Sequence, residues 1–331
     1  MLLRRLQLRN HRNYAHLDLE PGPGVNVFIG ANGQGKTNLL EAVAMLALSS
    51  SPRARRELEL VGPAGPGSTI DAEVESGATT RSIAITLEVE GERARRTIEV
   101  DGVRRRFLNQ MLVQVEPGYA RALAGLKRVL EQRNSLLKRM AAGEASADVL
   151  EAWDEELIRI GGEVSVARAR AVRELQPEAA RFHAEIASGE RLEIEYLGPP
   201  ADLAEAVHNS LSEDLRRGAT SIGPHRDDVK VLLDGREARA YGSQGQQRTA
   251  VVSLKLAEAA MVARRTGERP VLLLDDVLSE LDGERRAALL RQVAGEGQVI
   301  ITSVEAGPFP PELISNSRVW RVAGGEIAAC G

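Results

Sequence analysis

The sequence predicts an α/β fold whose main domain is assembled from both ends of the chain around a helical insertion. Three observations predict it. Segment 25–30, VNVFIG, is a continuous β-branched and aromatic run, the mark of a strand buried on both faces, and it leads through GANGQGKT into a helical stretch. Near the other end RPVLLLDD, at 269–276, has the same doubly buried character. Between them the apolar spacing changes from alternation to steps of three and four. Strand–helix units on both sides of a helical segment imply a single domain made from both ends.

Composition sets bounds. The chain has 331 residues and is 43% hydrophobic, enough for one large or two medium domains. Aromatics are only 3%, so Leu, Val, Ile and Ala must build the core. No run of about 18 apolar residues exists to span a membrane. MLLRRLQLRN is too short and too charged for a signal peptide. The one cysteine, Cys330, excludes a disulfide framework or a thiolate metal site within the chain, and a reducing, cytoplasmic location is expected. A net charge of −4 argues against coating nucleic acid by bulk charge and leaves room for a local basic patch. Only five of the 43 basic residues are lysine, so an arginine cluster here points to phosphate less strongly than usual.

The elements follow in order. LLRRLQL, RSIAITLEVE and RRTIEV alternate apolar and polar and predict strands. TNLLEAVAMLAL predicts a helix after the glycine-rich turn. Tyr119, Leu123, Leu126, Val129, Leu130, Leu137 and Met140 recur at helical spacing, as do Leu150, Trp153, Leu157, Ile160, Val164, Ala167 and Ala171. The polar AAGEASAD lies between, and Asp148 with Glu151 resembles a capping box, so two long antiparallel helices are expected. An ordinary helical subdomain would show the same pattern. DVKVLLD and REARAY then predict a hairpin around Gly235. A helix over 244–265, a strand at RPVLLLDD, a helix over 283–294, the strand QVIITS and a pair of strands around Gly324-Gly325 complete the reading.

Residues 30–37, GANGQGKT, fit G-x-x-x-x-G-K-[ST] in the strand–turn–helix context the motif needs. Gly30, Ala31, Asn32, Gly33, Gln34 and Gly35 would turn backbone N–H groups onto a phosphate, and the helix start adds positive potential. Lys36 is expected at the β- and γ-phosphates of ATP, and the Thr37 hydroxyl on Mg²⁺. Asp275, at the end of the second buried strand, is the candidate to hold the same Mg²⁺ through water. Asp276 would then polarise the attacking water as the catalytic residue. A glutamate is commoner at such a position, and the shorter Asp is expected to give slow hydrolysis.

SQGQQRT, at 243–249, decides which class of P-loop protein to expect. It resembles the Ser-Gly-Gly-Gln element of ABC-type ATPases, which opens a long helix and contacts the γ-phosphate held by a second subunit. Ser243 offers a hydroxyl, Gly245 an uncluttered N–H, and Gln244 and Gln246 flank it at a helix start. A polar cap facing solvent would explain Ser243 alone. SELD, at 279–282, has the spacing of the D-loop in that superfamily, with Asp282 at the same expected dimer interface.

LRNHRNY (8–14), GANGQGKTNLLEAV (30–43), RRRFLNQM (104–111), VLEQRNSLLK (129–138), GPHRDDV (223–229), YGSQGQQRTAVVSLKLAE (241–258) and LLLDDVLSELDGERR (272–286) together resemble the bacterial RecF family of recombination mediators, relatives of SMC-type ATPase heads. The P-loop and acidic strand are shared by many ATPases, whereas EQRNSLLK, GPHRDD and SQGQQRT in one chain are specific. The resemblance implies an ABC-type (SMC head-like) P-loop ATPase domain in two halves, 1–106 and 218–331, with a helical arm at 107–217. It implies an ATP-dependent homodimer, a slow DNA-stimulated ATPase acting as a switch, and binding to duplex DNA and single/double-strand junctions. It also implies cooperation with RecO and RecR in loading RecA at gaps.

Two departures stand out. The family carries roughly 25 to 30 further residues, including the Q-loop, between the VDG turn and RRRFLN; here Gly102-Val103 runs straight into Arg104. Either the chain lacks the segment or the residues in hand close over it, and the Q-loop's part in ATP coupling favours the second. ABC transporters also place a His after the last core strand, where VIITSV offers Thr302 and Ser303, with Ser303 at the switch position. PRARR, RARR and RRR supply candidate DNA contacts, Arg53, Arg55, Arg56, Arg95 and Arg96 foremost, against the alternative of a solvated arginine face. Two other classes remain. A small-molecule P-loop kinase needs an acceptor pocket and a lid but not SQGQQRT. An ABC transporter subunit needs an adenine-stacking aromatic, a switch His and a membrane-docking surface.

Overall fold

The computed structural model describes residues 1–48, 51–54, 56–77, 79–88, 103–145, 148–187, 189–295, 297–307 and 309–330, with the backbone alone at 88, 103–106, 148 and 280. It divides into two units. The first comprises Met1–Glu99, His183–Ser188 and Gln244–Gly331, and the second Val100–Phe182 and Gly189–Ser243. Residues 218–243, expected with the C-terminal half of the nucleotide domain, therefore fall with the helices. The reason is a strand that the periodicity missed, described below.

In the N-terminal part, β1 (Leu2–His11) turns tightly into β2 (Tyr14–Leu19), and β3 (Val25–Ile29) leads through the glycine-rich loop into α1 (Lys36–Leu48). Asn10 and Arg12 take the left-handed conformation at the β1–β2 turn. β4 (Gly67–Ser76) and β5 (Thr79–Glu88) complete an antiparallel sheet in the order β2-β1-β4-β5. RRTIEV and the VDG turn lie outside the described residues.

The helical part begins with α2 (Val103–Val115), which the sequence reading did not separate, and continues with α3 (Tyr119–Ala141) and α4 (Asp148–Ile186). α3 and α4 are antiparallel. Arg133 bonds Asp154, an added Cβ at Gly125 would meet Ile160, and Leu137 packs in one cluster with Leu150. The expected Asp148 cap cannot be followed, because that side chain lies outside the described residues. α4 runs on past Pro177. β6 (Leu192–Leu197), α5 (Leu203–Asn209), α6 (Leu211–Arg217), β7 (Asp228–Leu233), β8 (Arg236–Glu237) and the short α7 (Ala238–Tyr241) finish the unit. β6 pairs with β7 and β7 with β8, so the hairpin around Gly235 belongs to this unit's own sheet.

Two buried arginines fix the loop between α6 and β7. Arg133 donates to Asp214 Oδ2 at 2.6 Å and to Thr220 Oγ1 at 3.0 Å, while Asn134 Oδ1 accepts from Thr220 N at 2.7 Å. Arg168 donates to Pro224 O at 2.6 Å and to Asp227 Oδ2 at 2.9 Å. EQRN thus holds the start of this loop at Thr220, and Arg168 holds its GPHRDD end.

The C-terminal part supplies α8 (Gln244–Thr266), β9 (Leu272–Asp275), α9 (Gly283–Val293), β10 (Val299–Ser303), α10 (Pro311–Ser315), β11 (Arg318–Ala323) and β12 (Glu326–Cys330). With β3 these strands form the sheet β12-β11-β3-β10-β9, in which β3 runs parallel to β10 and β11. α1 buries Leu39, Ala42 and Met45 in a core shared with Leu3, Leu6, Phe28 and Ile300. Gln298, buried, fastens the two sheets: its Nε2 donates to Leu3 O at 3.0 Å and Gly22 O at 2.8 Å, and its Oε1 accepts from Leu3 N at 2.7 Å. A buried amide satisfied on both ends fixes register as well as stability.

Candidate nucleotide site

The parallel register of β3, β10 and β9 brings three loop starts to one sheet edge, because Thr302 lies beside Phe28 and Asp275. A crevice outside the carboxyl ends of parallel strands is where such sheets bind ligands. Gly30 N donates to Ser303 O at 3.2 Å, and an added Cβ at Gly30 would lie 2.2 Å from Val322 O, so only glycine lets the chain leave β3 here. Gly33 and Gly35 have φ of +81° and +116°. Both values lie in the region that glycine enters without strain.

Lys36 is buried, and its Nζ donates to the carbonyls of Gly30 and, at 3.0 Å, of Ala31. Its ammonium therefore lies across the mouth of the loop it belongs to. The carbonyl of Gly35 accepts from the Tyr14 hydroxyl at 3.0 Å and from Leu39 N at 3.0 Å. Burial pushes the Tyr14 pKa up, which keeps that donor protonated.

Thr37 Oγ1 lies 3.2 Å from Asp275 Oδ1, and the Thr302 hydroxyl donates to the same oxygen at 2.7 Å. Asp276 N donates to Thr302 Oγ1 at 2.9 Å. Asp276 has φ +49°, a left-handed backbone that Asp tolerates better than most residues, and its Oδ1 is buried without a hydrogen-bond partner among the described residues. Such an acceptor is a candidate for a functional contact. Ser303, expected at the switch position, is also buried, but its hydroxyl donates to Glu305 O at 2.9 Å. The hydroxyl at the acidic pair is that of Thr302.

Ser243 and Gln244 are exposed at the start of α8. Gly245 O accepts from Thr249 Oγ1 at 2.9 Å, and an added Cβ at Gly245 would meet Arg285 Nη1 at 3.5 Å. Asp282 caps α9 by accepting from Arg285 N at 2.9 Å. The start of α8, with Gly245, is therefore next to the D-loop segment. Gln246 is half-buried.

The sequence reading missed a second layer. A cavity of about 460 Å³ opens beside the loop, lined by Asn10, Arg12, Asn13, Asn38 and Pro63 among others. Asn38 Nδ2 donates to Asn13 Oδ1 at 2.8 Å, and Arg53 Nη1 donates to Asn38 Oδ1 at 3.3 Å. Arg53 and Arg56 are exposed. Arg55, Arg95 and Arg96 lie outside the described residues, as do the side chains of RRR at 104–106. Below Arg53, buried Glu41 receives two bonds from Arg12, at 2.8 and 2.9 Å, and one from Ser51 at 2.5 Å. Burial pulls the Glu41 carboxyl up, but these hydrogen bonds outweigh it and the net pKa shift is downward. LRNHRNY was the available signal: its polar residues had no role in an alternating strand.

The sequence matches the RecF/RecN/SMC N terminal domain family over residues 2–312. The DNA replication and repair protein RecF of Heliobacterium modesticaldum is 36% identical over 372 residues, with 99% of each chain covered. This chain belongs to the RecF family. Its Gloeobacter violaceus relative, another DNA replication and repair protein RecF, is 36% identical over 370 residues, again with 99% of each covered. A solved structure of the recombination mediator protein RecF-ATPrS in the RecFOR pathway superposes with a TM-score of 0.86 at 29% identity, covering 100% of this chain and 98% of that one. An Smc head domain from Pyrococcus furiosus, at 15% identity and a TM-score of 0.56, shares the fold. The ABC-type, SMC head-like fold class is as expected for the family. The alignment with the Heliobacterium modesticaldum relative runs to 372 positions against the 331 residues of this chain. No described helix is long and apolar enough to cross a membrane.

Proposed function

We propose that this chain is an ATP-switched DNA-binding protein of recombinational repair and replication restart. In this reading ATP binds at 30–37 and joins two copies, the dimer grips duplex or gapped DNA, and slow hydrolysis releases it. RecO and RecR would act with it in loading RecA. The observation that carries the reading is the meeting of Thr37, Asp275 and Thr302 at one carboxylate oxygen beside the P-loop.

The residues present fit Mg²⁺. An alcohol and a carboxylate oxygen 3.2 Å apart are hard donors of the kind it takes. Among the described residues no group of three His, Cys, Asp or Glu forms a metal cage, so any such ion would take its remaining oxygens from phosphates and water. Thr37 and Asp275 would hold it, and it would supply charge neutralisation at the phosphates. The loop N–H groups and Lys36 bind the phosphates. The nucleobase end fits the cavity at Asn13 and Asn38, whose amides offer donors and acceptors for ring edges and ribose.

Thr302 orients Asp275 and the backbone of Asp276. The buried Oδ1 of Asp276 accepts a proton from the attacking water and aligns it. Ser243, Gly245 and their glutamine neighbours reach the γ-phosphate of the second copy's ATP, with Asp282 in the same interface. Arg53 and Arg56 are the described candidates for DNA phosphate contacts. Sedimentation velocity with and without ATP and Mg²⁺ tests the switch. Monomer should become dimer, and Ser243→Arg should still bind ATP as a monomer without dimerising. A Ser243→Arg protein that dimerises normally overturns the trans contact.

A further inference from the structure

The back of the P-loop is tied to the turn between β11 and β12, nearly 300 residues away in sequence. Gln34 Oε1 accepts from Gly324 N at 2.7 Å, and Gln34 O accepts from Gly325 N at 3.2 Å and from Asn13 Nδ2 at 2.9 Å. The approach is too close for side chains. An added Cβ at Gly325 would lie 2.1 Å from Asn13 O. Gly324 and Gly325 have φ of +57° and +83°, so two successive left-handed residues aim both N–H groups at one target.

We infer that Gln34, Gly324 and Gly325 are positioning residues for nucleotide binding: the C-terminal hairpin braces the P-loop from behind. The inference rests on the proposed nucleotide site and deepens it. A phosphate-binding loop works when its N–H groups converge inward, which requires its carbonyls to point out and be satisfied there. At Gln34 and Gly35 every carbonyl partner belongs to another segment or to α1, which leaves the inward face to N–H groups. A loop held this way does not have to be ordered by its ligand. The residue type follows from the same geometry. An amide oxygen accepts the Gly324 N–H without bringing a negative charge to a triphosphate site, which Glu would do. Gln34 was expected at ATP through its backbone N–H; its side chain is thereby assigned to the hairpin.

The test is a double-mutant cycle on the full chain, with a fluorescent ATP analogue in Mg²⁺ as the probe. Gln34→Leu keeps the bulk and removes the acceptor; Gly325→Ala pushes the hairpin off Asn13. Each should raise the Kd roughly tenfold, Gln34→Leu with an unchanged melting temperature, and the double variant should be no worse than the poorer single. Hydrogen exchange without nucleotide should quicken at residues 33–36 in Gln34→Leu and nowhere else in the first unit. If Gly325→Ala fails to fold, the affinity and exchange of Gln34→Leu decide alone. Wild-type affinity and exchange in Gln34→Leu, or additive effects in the double variant, overturn the brace. Lys36→Met separates this from the underlying reading. If Lys36→Met also binds normally, the nucleotide site itself is wrong; if it alone loses binding, only the brace is.

Discussion

Thr302 donates its hydroxyl proton to Asp275 Oδ1 at 2.7 Å and accepts the N–H of Asp276 at 2.9 Å. One buried threonine on β10 therefore sets the end of β9, holding the first carboxylate by its side chain and the second by its backbone. Thr302→Val keeps the shape and removes both bonds. ATP hydrolysis should fall roughly 10- to 100-fold, as expected for unpairing a polar group at a catalytic carboxylate, with ATP affinity changed less than about threefold. Phosphate-release kinetics beside equilibrium binding would measure this. Equal changes in both quantities would mean that Thr302 shapes the nucleotide pocket and not the acidic pair.

Lys36→Met and Asp276→Asn should separate binding from chemistry. Lys36 brings the only lysine charge to the loop, so its loss should weaken ATP by roughly 100-fold or more. Asp276→Asn keeps the volume and loses the base. It should bind ATP, hydrolyse it about 10²- to 10³-fold more slowly, and accumulate as dimer. Isothermal titration together with sedimentation would show it. Equal loss of ATP binding in both variants contradicts the assigned roles.

The phosphate loop and its acidic strand were legible because local chemistry dictates both. VNVFI is a strand buried on two faces, LLLD is a short apolar strand with Leu272 and Leu274 buried, and a glycine-rich turn between strand and helix has few uses. The bracing was not legible. Asn13, Tyr14, Gly324 and Gly325 are ordinary turn or strand residues until the fold brings Asn13, Gly324 and Gly325 to Gln34 and Tyr14 to Gly35. β6 was missed because LEIEYL is short and follows a helix whose periodicity gave no stop; α4 continues through Pro177 to Ile186. Through β6 the strand β7 joins the helical unit rather than the nucleotide-site strands. Thr302 over Ser303 follows from strand pleat alone: neighbouring hydroxyls face opposite sides, and only the pairing partner tells which side holds Asp275.

His11 should make stability fall on mild acidification. It is fully buried, with Ser68 Oγ 3.4 Å from its Nδ1. Burial lowers its pKa from 6.5 to about 4, with nearby Glu41 pulling it up and Arg12 down. The folded chain holds the ring neutral, whereas the unfolded chain protonates it below about pH 6.5. Its contribution is therefore complete above 6.5 and is lost as pH falls toward 4, by roughly 1–2 kcal/mol between pH 6.5 and 5. Glu41, whose pKa is lowered, adds its own loss only further down. Urea denaturation of wild type and His11→Asn at pH 7.5, 6.0 and 5.0 would isolate the term. The variant should show a flatter pH dependence over that range, and parallel curves would remove His11 from the account.

DNA binding should depend on ATP and on salt together. A chain of net charge −4 has no overall field to draw a polyanion, so it needs local clusters brought into register. Arg53 and Arg56 are exposed on the loop after α1, and Arg53 bonds Asn38 one residue beyond Thr37. A nucleotide-held pair of copies would place two such loops relative to one another, which no monomer can do. The contacts would be mainly to phosphates and therefore weakly selective for sequence. Affinity should fall by roughly 0.9 log units per log unit of salt for each phosphate neutralised. Arg53→Gln should reduce that slope by about one phosphate. The measurement is a salt titration of binding to several unrelated duplexes, with and without ATP and Mg²⁺, for wild type and Arg53→Gln. If the affinity is the same without nucleotide, or persists at high salt, the DNA surface already exists on one copy or is not electrostatic, and the switch reading fails. If only the Arg53→Gln slope is unchanged, the switch stands and the contacting arginines lie elsewhere.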